Sequence, residues 1–427
     1  MKIGEVSRKY AVSKDQLYFY INSGLLVPPK QNTQYVFNAE TLSDLEMILS
    51  LKSMDYSLKE IHRILSLHRI SGVENPEDRV ALREIYQAKR SEIARKIQDY
   101  QKIVSVLDER IDALSKESAG KVKRSGLPLS MLGLLCCPHC QKPLQIMDVR
   151  MDMEFVYAGK LSCGCGYSAR VEDGILITPH GYHGEKDIPD VERKVYKDLP
   201  DSLISLFQRA YNFMDEALLH MDLTGKVVME TYVNAWFYLH NHHRGMSPDG
   251  KYIVVDKFPE TLRMFKDLLE RDGCKLPILY LCDSSKDYPL RKGIVDLNLD
   301  FFAINEHQFY KDDFLMPHLV PYLAPDAKCV GTYFWFENGK RSMQKLLSEY
   351  PECSPKNFSL AFFLTQMKAS GFTIIKRRDC GFTTSSGNNI GFSFHLELAR
   401  MAHNRVLLGF YTSSAKQLRD MRLLGFP

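Results

Sequence analysis

The sequence predicts a multidomain fold: an all-α winged helix-turn-helix backed by a long helix, then a small cysteine-rich ribbon, then an α/β doubly wound domain. Three observations predict it. Apolar residues recur at helical spacing through residues 1–118, five of the ten cysteines crowd between Cys136 and Cys165, and β-prone runs alternate with helical patterns beyond residue 198. A chain of 427 residues is too long for one ordinary core, so several compact units are expected. The composition, 45% hydrophobic and 25% charged, excludes a largely disordered protein. A formal net charge of +4 is too weak to announce nucleic-acid binding, so that reading must come from local pattern. No apolar run reaches the roughly 18 residues of a membrane span, and the opening MKIGEVSRKY has charges where a signal peptide would be apolar. A cytoplasmic location with no membrane partner is therefore expected.

The first element ends near Tyr10, and a second begins after Ser13, whose hydroxyl suits an N-cap; Gly24 suits the C-terminal stop. Two short helices meeting at such a turn can place the second in a major groove. After Pro28-Pro29-Lys30, residues 33–37 read as a short wing strand. Leu42, Leu45, Ile48 and Leu51, then Leu58, Ile61, Ile64 and Leu65, recur at helical spacing and should cover this small core. From Leu82 the positions Tyr86, Ile93, Ile97, Tyr100, Val104, Leu107, Ile111 and Leu114 mostly alternate steps of three and four, a heptad seam interrupted at Arg90. A helix with so narrow an apolar stripe requires a partner.

The stretch MKIGEVSRKYAVSKDQLYFYINSGLLVP resembles the start of MerR-family regulators, and LKEIHRIL resembles the helix after their wing. The resemblance covers residues 1–118. It implies a DNA-binding domain over 1–75, an antiparallel coiled-coil dimerisation helix over 76–118, and a homodimer on two-fold operator DNA beside RNA polymerase. By position, Ser13, Lys14, Gln16, Tyr18 and Tyr20 would face DNA, with Lys2, Lys30 and Tyr35 near phosphates. The family's usual arginines in the second helix and wing are missing here; the helix reads Leu17-Tyr18-Phe19-Tyr20 and the wing has Val36, which should lower affinity and salt dependence.

A polar linker is expected over 119–130, then a ribbon over 131–180. Cys136-Cys137-Pro138-His139-Cys140 and Cys163-Gly164-Cys165-Gly166 supply two thiol pairs on tight turns, the tetrahedral sulfur set zinc prefers. Cys137, Cys140, Cys163 and Cys165 are the expected ligands of a structural Zn2+, with Cys136 the competitor to Cys137 and His139 on the knuckle surface. A redox sensor built from these thiols is the alternative.

In the last domain, 190–427, strands are expected at Val227–Thr231, 252–255, 276–281, 294–299, 329–335, 373–379 and 392–398, with helices between them. That order means a parallel sheet covered on both faces, with ligands at the carboxyl ends of its strands. It resembles the class I (Rossmann-type) S-adenosylmethionine methyltransferases. The resemblance implies a ribose-binding acid at Asp256, an adenine reader at Asp283, and a fourth strand and its tip over Val295 to Phe302. Where the family has a Gly-rich turn, this chain reads Glu230-Thr231-Tyr232-Val233-Asn234-Ala235-Trp236. That departure leaves S-adenosylmethionine doubtful as a cofactor and catalysis expected to be lost. The expected ligand pocket comprises Glu230, Tyr232, Asn234, Trp236, Asp256, Asp283, Asp300 and Phe302, suited to an apolar or planar small-molecule effector. The run His240-Asn241-His242-His243 reads as a polar surface loop, and Lys376-Arg377-Arg378 as a solvated strand edge. The whole reads as a transcription regulator with a methyltransferase-like sensor; the alternatives are an active methyltransferase and a redox- or zinc-responsive regulator.

Overall fold

The computed structural model describes residues 1–116, 124–185, 187–193, 199–234, 236–336, 340–383 and the backbone of 406–414. It forms two compact units, Met1–Ala119 and Gly120–Pro427.

In the first unit, α1 (Ile3–Tyr10) and α2 (Lys14–Asn22) form the helix-turn-helix, and β1 (Lys30–Gln31) pairs with β2 (Gln34–Tyr35) as a minimal wing. Ser13 caps α2, its Oγ accepting from the Gln16 amide at 3.1 Å, and Gly24 takes a left-handed φ of 75° just beyond the end. α3 (Ala39–Ser53) and α4 (Leu58–Ser71) complete the core, where Val6, Leu17, Tyr20, Phe37, Leu45 and Ile61 pack together. α4 starts with a capping box: Ser57 Oγ accepts from the Glu60 amide, and the Glu60 carboxylate accepts from the Ser57 amide. α5 (Pro76–Lys116) runs 41 residues, with Ile97, Tyr100, Val104, Leu107, Ile111 and Leu114 all exposed in the single chain.

The second unit is built on one sheet. Its order is β13-β14-β12-β11-β8-β9-β10-β7-β6-β5-β3, with β4 also on β5. The strands are β3 (Leu127–Pro128), β4 (Gln145–Met151), β5 (Phe155–Ser162), β6 (Ser168–Glu172), β7 (Ile175–Ile177), β8 (Val227–Thr231), β9 (Lys251–Asp256), β10 (Ile278–Cys282), β11 (Val295–Phe301), β12 (Leu323–Phe336), β13 (Thr373–Thr383) and β14 (Val406–Ser414). β10, β9, β8, β11 and β12 are parallel neighbours in that order, the doubly wound arrangement with its reversal between β8 and β11. β14 runs antiparallel between β12 and β13. The strand expected at 392–398 lies outside the described residues.

Helices α6 (Asp201–Leu219), α7 (Tyr238–His242), α8 (Pro259–Arg271), α9 (Ala303–Tyr310), α10 (Met316–Leu319), α11 (Lys340–Glu349) and α12 (Leu360–Ala369) cover the sheet. Neighbouring residues of a buried strand serve opposite faces: Val228 packs with α6 and α8, while Val227 and Met229 pack with α10 and α12. The cysteine-rich segment is joined to this sheet rather than hung beside it. β7 pairs in parallel with β10, and Leu127, Val156 and Leu161 share a core with Leu279 and Leu281. Among the described residues no helix is long and apolar enough to cross a membrane.

Candidate functional site

On the first unit, Ser13, Lys14 and Tyr18 lie exposed along the start of α2, with Gln16 half-buried. The wing brings Tyr35 edge-on to Tyr18, ring centroids 6.3 Å apart, and Lys30 Nζ sits 4.8 Å from the Tyr35 ring centre. Lys2 is also exposed, bridged through its backbone to Val36. Tyr20 is a correction: its side chain is fully buried and its hydroxyl accepts from Gln16 Nε2 at 2.7 Å. The cause is helical period, since Tyr20 falls three residues after the buried Leu17 and shares its inward face.

In the second unit, the sulfurs of Cys137, Cys140, Cys163 and Cys165 all lie within 4.8 Å of one another. Cys137 Sγ is 3.3 Å from Cys165 Sγ, and Cys140 Sγ is 3.4 Å from Cys163 Sγ. Cys137 and Cys140 share one tight turn and Cys163 and Cys165 another: Gln141 N–H donates to the Cys137 carbonyl at 2.9 Å, and Gly166 N–H to the Cys163 carbonyl at 2.9 Å, with Gly166 at a φ of 96°. Cys136 is buried outside this group of sulfurs, and His139 is exposed with its ring edge-on to Tyr167. The Tyr167 backbone N–H holds the Cys165 thiol down to about 6, whereas burial pushes Cys137 up to about 12.

A cavity opens at the carboxyl ends of β8, β9 and β10. It encloses about 90 Å³ and is lined by Tyr182, Tyr232, Asp256, Lys257, Asp283 and His307 among others. Of the expected pocket residues it gathers Tyr232, Asp256 and Asp283. Tyr232 has a left-handed φ of 59° at the end of β8, a strained conformation for a bulky residue, and its hydroxyl meets His307 Nδ1 at 2.7 Å. Lys257 enters from the tip of β9, its ammonium 5.3 Å from the Tyr232 ring centre and 4.8 Å from that of Tyr310, and pairs with Asp187 and Glu306. Burial lowers its pKa.

The acids here are occupied by their own chain. Asp256 Oδ2 accepts from the Asn234 amide and Oδ1 from the Phe258 amide, both at 2.9 Å. Burial lifts this carboxyl to about 7. Asp283 accepts from the Thr178 hydroxyl at 2.6 Å and from the Ser285 and Lys286 amides at 2.7 and 2.9 Å.

The remaining expected residues do not line the cavity. Glu230 accepts from the Tyr238 and Leu239 amides at the start of α7, and Asp300 accepts from the Ile304 amide in α9. The Asn234 side chain ties Asp190, Ile188 and Thr261 together. Trp236 packs 4.3 Å from Phe207, and Phe302 stacks 4.5 Å from Phe334, both inside the core. A left-handed φ of 68° turns Phe302 inward from the end of β11.

The histidine run is also a correction. It lies on α7 and the turn after it, where His242 meets Asp215 at 2.9 Å and His243, buried, meets Asp272 at 3.1 Å. Lys376 and Arg378 on β13 both pair with Glu216 of α6 at 2.9 Å. Sequence reasoning missed Lys257, whose one signal was its place directly after Asp256. It also missed His307, which no motif marks.

Residues 1–67 match the family model described as MerR HTH family regulatory protein, and residues 42–110 the one described as MerR, DNA binding. A curated relative, the HTH-type transcriptional regulator ZntR homolog of Haemophilus influenzae, is 30% identical over 79 residues, covering 18% of this chain and 58% of that protein. The chain thus spans little more than half the length of that relative. Solved structures similar to this chain include a putative sarcosine dimethylglycine methyltransferase from Galdieria sulphuraria, at 11% identity and a TM-score of 0.39 over 49% of this chain and 86% of that one. Another is phosphoethanolamine N-methyltransferase 2 of Haemonchus contortus, at 14% identity and a TM-score of 0.36 over 55% of this chain and 62% of that one. The first 110 residues of the chain are a MerR-type helix-turn-helix unit.

Proposed function

We propose that the chain is a dimeric, DNA-binding transcription regulator whose second unit holds a structural zinc and has given up methyl transfer for a sensing role. The observation that carries this reading is the exposed start of α2 beside its wing: Lys14, Tyr18 and Lys30 lie on the surface while Leu17 and Tyr20 of the same helix are core. Dimerisation is supported by the uncovered apolar stripe of α5, which a second copy laid antiparallel would bury. The regulator would act in the cytoplasm, at a promoter with RNA polymerase, under control of a small-molecule effector.

Zinc fits the cysteine set. Tetrahedral Zn–S bonds of about 2.3 Å require sulfurs about 3.8 Å apart, close to the 3.3 and 3.4 Å separations found. Cys137, Cys140, Cys163 and Cys165 would hold the ion, which supplies cross-linking and no reaction. A redox-responsive reading of the same thiols is favoured by one observation, the exposure of Cys140 and Cys165.

S-adenosylmethionine does not fit. The cavity of about 90 Å³ falls well below the roughly 300–1,000 Å³ of sites for ligands this large. The Tyr232 ring and the Lys257 ammonium form part of its narrow lining, and Asp256 and Asp283 already satisfy backbone amides. With the cleft narrowed in this way, the chain's own residues offer methyl transfer no seat.

The test is selection of fragments from a random DNA pool by the zinc-loaded full chain, followed by footprinting and light scattering. The expected outcome is a two-fold symmetric protected site and the mass of two chains. Salt-sensitive binding with no preferred sequence, or a monomer, would overturn the reading.

A further inference from the structure

A cluster of two imidazoles and a carboxylate lies beside the cavity, built from side chains that the DNA reading does not use. We propose that His307, Asp313 and His318 bind a divalent first-row transition metal through two imidazole nitrogens and one carboxylate. One potential ligand atom from each of these residues lies within 4.8 Å of the others. Asp313 already bridges the two rings: His307 Nε2 is 2.9 Å from Oδ1 and His318 Nε2 is 2.5 Å from Oδ2. Ligand atoms on one ion at about 2.1 Å stand about 3.0–3.4 Å apart, so the three side chains are near enough to close on one ion by small rotations about their own bonds.

Three features argue for a built site. His307 is fully buried on α9, so its ring is held by packing, while His318 on α10 and the half-exposed Asp313 leave one side open to solvent. The Tyr232 hydroxyl sits 2.7 Å from His307 Nδ1, the outer-shell partner that fixes a ligating imidazole; with the metal on Nε2, the ring proton resides on Nδ1 and is donated to the phenol oxygen. Tyr232 is the residue held at a φ of 59°, and it reaches from β8 to the helix after β11, across the reversal point where doubly wound sheets bind ligands. The mixed nitrogen and oxygen set suits zinc, cobalt, nickel or iron over calcium or magnesium.

Lys286 is the competitor. Its ammonium lies 3.6 Å from Asp313 Oδ2, a resident cation at the carboxylate that the metal must displace. Metal affinity should therefore rise when this charge is removed.

Cobalt titration of the full chain loaded with a single equivalent of zinc, which the four thiolates take up first, followed by metal analysis and visible spectroscopy, tests the proposal. Wild type should take up one further equivalent of Co2+, showing ligand-field bands without thiolate charge-transfer intensity. His318→Ala, at a half-exposed position, should weaken that uptake about a hundredfold or more with the fold retained by circular dichroism. Tyr232→Phe should weaken it about tenfold, and Lys286→Met should tighten it. No further cobalt in the wild type, or unchanged uptake by His318→Ala, would overturn the proposal and leave the DNA reading untouched.

Discussion

The two units treat their functional positions in opposite ways. On the helix-turn-helix, Lys14 and Tyr18 are turned out while Leu17 and Tyr20 are turned in, so each side chain has either a surface task or a core task. At the carboxyl ends of β8, β9 and β10, Asp256 and Asp283 are bonded to the chain's own backbone, with Tyr232 and Lys257 lining the cavity between them. The strand order and the ligand seat at the strand tips are set by different residues. The order rests on the buried apolar runs of β8 to β12, whereas the seat rests on a few polar groups at strand tips that can be satisfied locally.

The largest expected effect sharpens the contrast from the second unit's side. Removing zinc by chelation, or making Cys163→Ser, should lower the Tm of that unit by roughly 10 °C or more, because β7 couples the cysteine-bearing hairpins to β10 and several kcal/mol of cross-linking are lost. An unchanged melting curve would break the zinc assignment. On the first unit, Lys14→Ala should weaken DNA binding on the order of tenfold and reduce the slope of log affinity against log salt by about 1. Tyr20→Phe should leave that slope unaltered and cost about 1 kcal/mol of stability through the lost Gln16 bond. If the two variants exchange these behaviours in a salt series, the division of α2 into faces is wrong.

The smallest effect is a pH dependence in the first unit. The Ser57 hydroxyl and amide hold the Glu60 carboxyl down at about 2, below its ordinary 4.5. A depressed carboxylate stabilises the folded state above its unfolded pKa, and that contribution fades as pH falls from 4.5 toward 2. Glu60→Gln should flatten the acid limb of a melting-temperature profile over this range and change little at neutral pH.

Local chemistry made much of this legible in advance. Ser13 and Gly24 delimit α2 because a hydroxyl cap and a left-handed glycine act over two or three residues, and both are where the sequence puts them. The five parallel strands are visible as apolar runs because both their faces are buried. The grouping of Cys137, Cys140, Cys163 and Cys165 follows from knuckle spacing. What was hidden depends on tertiary placement. Trp236 and Phe302 read as cleft aromatics, yet their direction is set by packing against Phe207 and Phe334 from distant segments. His307, Asp313 and His318 meet only because the turn between α9 and α10 folds back, and nothing in their spacing announces it. The inward face of Tyr20 was readable from its three-residue step after Leu17.

The most direct test of the central claim is calorimetric titration of S-adenosylmethionine and S-adenosylhomocysteine into the zinc-loaded protein. A seat closed by Tyr232 and Lys257 predicts no heat of binding at millimolar ligand, whereas micromolar binding of either compound would contradict the account and return the second unit to the methyltransferases.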